Sequence, residues 1–155
     1  MELSGQIRTP CPPDLLVAVL RDPVALAQLL PAGSKMDLGV DGSFAFSVTK
    51  SIGPIRLTLP GKLQLTPTGS GHDQVMTVHA AHLIGGKVDL SLDITITAVG
   101  QTTHLTYAGD LTASGLAGRV LQEHRGRANS VLKAALTRLK LHAEAQMNKP
   151  HIRSA

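Results

Sequence analysis

Aromatic side chains are nearly missing from this chain: two phenylalanines, one tyrosine and no tryptophan make up 2% of its 155 residues. Base-stacking platforms, the usual device for holding single-stranded nucleic acid, therefore have almost nothing to work with, and a nucleic-acid partner is not expected despite a net charge of +4. Cysteine is reduced to Cys11, which excludes an internal disulfide. No apolar run approaches the roughly 18 residues of a membrane-spanning helix. The N-terminus lacks the charged-then-apolar pattern of a leader, so the expected location is cytoplasmic. Acidic residues are scarce toward the C-terminus. From Arg119 onward the bases, among them Arg125, Arg127, Lys133, Arg138 and Lys140, face only Glu123 and Glu144. That asymmetry reads as a solvated helix back or as a docking face for an acidic partner or an anionic membrane, with peripheral attachment at the inner membrane face as its consequence.

What remains is an aliphatic chain, 43% hydrophobic, long enough to bury a core as one domain without staples. Residues 2–9 alternate apolar and polar and read as a strand closed by Pro10, Pro12 and Pro13. Asp14 is placed to cap a short helix through Leu20. Asp22-Pro23 starts a second, with aspartate as N-cap and proline in the first helical position. Six strands follow, at 35–40, 43–50, 55–65, 73–84, 87–98 and 102–113. Asp41-Gly42 marks the first hairpin. Pro60-Gly61 falls inside the third of the six, where a bend or break is expected because proline cannot donate to a ladder. For 73–84 the two faces compete evenly, and the pattern leaves its inward side open.

The chain then changes period. From about Gly115 to Ala145, apolar residues such as Ala117, Val120, Leu121, Ala128, Leu132 and Leu136 recur every three or four positions, forming one stripe of a long helix. Its only available partner is the sheet. A long helix laid across a curved antiparallel sheet encloses an apolar hollow, which suits a small molecule. Gly126 interrupts this helix at a cost of roughly 1 kcal/mol relative to alanine, either as a bend shaping the entrance or as a tolerated glycine.

Several landmark segments resemble the carbon monoxide dehydrogenase G-subunit (CoxG) family of the START-like (SRPBCC) superfamily. They are Leu20-Arg21-Asp22-Pro23 with Leu29-Leu30-Pro31, Ile52-Gly53-Pro54-Ile55 with Gly61-Lys62-Leu63, Gly86-Lys87-Val88, and Thr103-His104-Leu105-Thr106-Tyr107 with Gly115-Leu116-Ala117. Together they cover nearly the whole chain in order. Val17 stands where the family commonly has tryptophan, and Pro31-Ala32-Gly33 replaces its usual Pro-Gly. The resemblance implies an α+β helix-grip fold: a curved antiparallel sheet of about seven strands around a long C-terminal helix, with two short helices after the first strand. Residues 1–146 form the single domain and 147–155 a short basic tail. It also implies a hydrophobic ligand, lipid or quinone-like, and work in support of a molybdenum-containing dehydrogenase of the hydroxylase type or its membrane recruitment.

No catalytic set emerges beside this reading. His79 and His82 are the closest pair among seven histidines, yet three-residue spacing in a strand puts them on opposite faces, so no metal site is expected. His104 reads as a surface residue. Gly69-Ser70-Gly71 and Gly85-Gly86 join strands instead of opening helices and do not cradle phosphate. The expected pocket takes Leu57 and Leu59 from one strand, Leu90 and Leu92 from another, Leu105 and Tyr107 from the last, and Val120, His124 and Leu132 from the helix. Tyr107 serves there either as an anchor for a ligand carbonyl or as core filler. His124 is either a ligand contact or a structural polar group. No catalytic residue and no cofactor are assigned. The first expectation is a non-enzymatic carrier. The rivals are a polyketide cyclase-like enzyme using Tyr107, His124 and His79, and a dehydrogenase assembly factor without ligand.

Overall fold

Strand β1 (Glu2–Thr9) turns Leu3, Ile7 and Thr9 inward and leaves Glu2, Ser4 and Gln6 in solvent, as a period of two requires. The fold is that of a computed structural model in which residues 1–30, 34–52, 54–69, 71–82, 86–123 and 125–147 are described; for Lys50, Ile52, Ile55, Leu57 and Arg125 the backbone alone is described. The tail from 148 onward thus lies outside the described residues.

Helix α1 (Pro13–Leu20) begins with Pro13 in its first turn and Pro12 at the N-cap, without a side-chain cap. Asp14 therefore does not cap it, contrary to expectation. Two prolines already set the entering backbone, and the Asp14 carboxylate instead meets His72 Nε2 at 2.7 Å. Helix α2 (Pro23–Leu26) starts as the sequence predicts: Asp22 Oδ1 accepts from the Val24 amide at 3.1 Å. A 3-10 turn, Ala27–Leu29, extends it.

The remaining strands are β2 (Lys35–Leu38), β3 (Phe44–Ile52), β4 (Ile55–Pro67), β5 (Gln74–His82), β6 (Gly86–Val99) and β7 (Thr102–Ser114). They form a meander, all neighbours antiparallel, with β1 added beside β7; the order is β1-β7-β6-β5-β4-β3-β2. Because β1 and β2 are the two edges, α1 and α2 must carry the chain from one side of the sheet to the other. That route lays them over its concave face. Helix α1 accordingly touches β6, and α2 touches β2.

β4 runs unbroken through Pro60, which pairs with Ser47 of β3, so the expected break is absent. Among the described residues the ladder from β4 to β5 starts at Gly61, one residue later. Among the described residues Pro60 has no partner on β5, so its missing N–H interrupts no rung on that side. Gly61 is needed for space: a Cβ there would collide with the Phe46 ring. β5 buries Gln74, Met76 and Ala80 and exposes Thr77 and His79, which settles its inward face.

The long helix is divided. Helix α3 (Gly115–Glu123) packs on β6 and β7; a 3-10 turn, Arg125–Arg127, follows; helix α4 (Ala128–Met147) then runs along β1, α1 and the turn after α2. Gly126, expected as a bend or a tolerated glycine, lies inside that turn.

Candidate ligand cavity

The inner face has two ends of different character. At one end bulky side chains meet: Leu92, Ile94, Leu105 and Tyr107 from the sheet, Leu16 and Leu20 from α1, and Leu136 and Leu139 from α4 are all 3% exposed or less. Each such side chain contributes about 1.5–3 kcal/mol by leaving water. Polar clasps close the same end. Thr9 Oγ1 donates to Glu144 Oε2 at 2.9 Å, Thr103 Oγ1 to the Cys11 carbonyl at 2.5 Å, and the Arg21 guanidinium to Gln74 Oε1 at 2.8 Å.

At the other end the sheet and helix face each other with small residues. Ala113 of β7, Ala117 of α3, and Ala128 and Ala135 of α4 are too short to meet across the gap, and a cavity of about 490 Å³ remains. That lies within the range of roughly 300–1,000 Å³ that encloses small organic ligands. Seven residues of the sheet, the helix stripe and Leu29 from the turn after α2 line it, and among the described residues every lining side chain but Arg127 is apolar. Arg127 is exposed, as is Val131 four residues on, 63% accessible while still lining the hollow. These two mark the mouth.

The residues predicted for the pocket divide between the two ends. Leu59, Leu90, Val120 and Leu132 lie together on the cavity wall. Leu92, Leu105 and Tyr107 share the inward face but stand farther along their strands, within the packed end. The Leu57 side chain and His124 lie outside the described residues. Wall residues absent from the predicted set include Leu111 and Ala113, which the alternation of β7 places on the Leu105 face and could have revealed. Leu29 had no such signal, since a turn end has no periodicity. Arg127 stood only in the count of C-terminal bases.

Tyr107 is fully buried, and among the described residues its hydroxyl has no hydrogen-bond partner. Burial pushes its phenol pKa up. His79 faces solvent and meets Asp89 at 2.5 Å. Among the described residues no three or more His, Cys, Asp or Glu side chains gather as a metal site, and no helix is long and apolar enough to cross a membrane.

An edge-to-edge meander gripping a C-terminal helix, with the hollow between them, is the arrangement against which known proteins can be compared. The family model for the carbon monoxide dehydrogenase G-subunit (CoxG) matches residues 5–144. The chain belongs to the CoxG family. Among curated proteins none matches significantly in sequence. Solved structures with the same fold include a conserved protein from Geobacillus kaustophilus (TM-score 0.77, 16% identity, 94% of this chain and 96% of that one). The ZhuI aromatase/cyclase from Streptomyces sp. R1128 is similar at TM-score 0.66 and 15% identity, over 96% of both chains. A START superfamily protein from Mycobacterium smegmatis is similar at TM-score 0.60 and 14% identity, over 94% of this chain and 98% of that one. At these identities the likeness establishes the helix-grip, START-like fold of this CoxG chain.

Proposed function

We propose that this CoxG-family protein is a non-enzymatic carrier that holds a hydrophobic small molecule, lipid or quinone-like, between its sheet and its C-terminal helices. The observation that carries this reading is the 490 Å³ cavity with its aliphatic wall. Apolar walls hold a ligand by the area they remove from water, at about 0.8 kcal/mol per buried CH₂, and ask little of its chemical identity. The family name supports a further step, in which the cargo serves a molybdenum-containing dehydrogenase or its recruitment to a membrane. The exposed bases Arg119 and Lys133 on the helices suit an acidic protein face or anionic lipid.

A cyclase-type activity is the second reading, favoured by the likeness to the aromatase/cyclase. It needs acid and base groups converging on the cavity, whereas among the described residues the lining offers a guanidinium, which cannot act as a base, and Tyr107 stands off the wall. The carrier reading is preferred on that ground. Native mass spectrometry of gently purified protein is expected to show an adduct that organic extraction removes. A bare chain mass, together with no uptake of the uncharged fluorophore N-phenyl-1-naphthylamine, would overturn it.

A further inference from the structure

Among the described residues the cavity wall carries one charge, and its position restricts the cargo. Arg127 sits in the 3-10 turn between α3 and α4, with its side chain both lining the hollow and reaching solvent. Such a residue lays its methylene stem along apolar surface and keeps its guanidinium in water. Val131, one helical turn on, extends the same rim. Some other bases are engaged: Lys140 lies 3.7 Å from Glu144, Lys62 lies 3.7 Å from Asp41, and Arg138 Nε donates to the Gln28 carbonyl at 2.8 Å. Arg127 has no such partner among the described residues.

We infer that the cargo is a single-chain amphiphile with an anionic head group, its tail in the hollow and its carboxylate against Arg127 at the mouth. The inference rests on the carrier reading and narrows it. A planar fork of N–H donors matches the two oxygens of a carboxylate, which lysine's point charge does not. The hollow lies in the lower half of the volume range typical of small-ligand sites, which suits one chain and not the two of a membrane phospholipid. Because the guanidinium is exposed and screened by salt, the selectivity is modest, about fivefold in affinity.

The test is displacement of N-phenyl-1-naphthylamine from the full chain at neutral pH by dodecanoate and, separately, by dodecanol. Arg127→Gln is expected to weaken dodecanoate about fivefold and leave dodecanol unchanged, with Arg127→Lys in between. Raising the salt should weaken dodecanoate alone in the native protein. Circular dichroism checks that the variants fold, as substitution of an exposed turn residue allows. Equal loss for acid and alcohol would assign Arg127 to packing, and no loss for either would leave it a bystander; both results overturn the inference while the carrier stands. Failure of the fluorophore or of both amphiphiles to bind the native protein would sink the carrier reading itself.

Discussion

Gly5 and Tyr107 face each other across β1 and β7, and the tyrosine ring lies where a Cβ on residue 5 would have to be. The glycine is thus the condition for burying the largest side chain of the core. Gly5→Ala should destabilise the protein by about 1–3 kcal/mol through overpacking, read by urea unfolding. Tyr107→Phe should do the reverse. Removing a buried hydroxyl that has no partner is expected to be neutral or to stabilise by about 1 kcal/mol, and to leave fluorophore uptake unchanged because the ring is off the cavity wall. A fall in uptake would return Tyr107 to the ligand. At the β2–β3 turn, the Ser43 hydroxyl, then its amide, hold the Asp41 carboxyl below its ordinary pKa. A lowered folded pKa means a contribution present above the ordinary aspartate range and lost as pH falls through the lowered value. An NMR titration of the Ser43 amide should therefore show its midpoint below that of an unperturbed aspartate.

The helical stripe from Ala117 to Leu139 survives the change of helix at 125–127 and keeps one face on the sheet, but its two parts do different work. Its residues from Ala117 to Ala135 line the hollow across both helices, and Leu136 and Leu139 seal the core. Gly126 has no positive φ and nothing within 4 Å of a built Cβ. Gly126→Ala should stabilise by about 0.4–1 kcal/mol, seen as a rise of about 2 °C in Tm, by restricting the unfolded chain. No rise would mean that the turn itself requires glycine. Elements were legible where one local rule acted alone: the Asp22-Pro23 start, the alternation of β6, the Asp41-Gly42 hairpin. They were misread where two rules competed. At Pro60 the prohibition on strand proline yielded to its neighbours, since among the described residues it pairs with β3 and not with β5. At Asp14 a capping residue was displaced by two prolines that had already set the backbone.

For the molecule as a whole, the hollow trades packing for binding. Leu90 projects into it from β6, and Leu90→Phe adds apolar volume where little opposes it. We expect a gain of about 0.5–2 kcal/mol in thermal unfolding together with loss of N-phenyl-1-naphthylamine uptake. Lower stability would show that the opposite wall leaves no room for the ring. The opposite signs of the two effects distinguish a binding cavity from a packing defect, since filling a defect alters no uptake.

Period and composition were enough to establish the order of elements, the inward faces of β6 and β7, and an aliphatic interior, because each depends on neighbours two to four residues apart. Where along those faces packing ends and open volume begins depends on which side chains of distant elements oppose each other. Leu90 lines the hollow together with alanines of the helix and Leu92 is packed in the core, although both obey the same alternation. Only the folded chain sets those partners, and with them the place of the cavity and of Arg127 at its mouth.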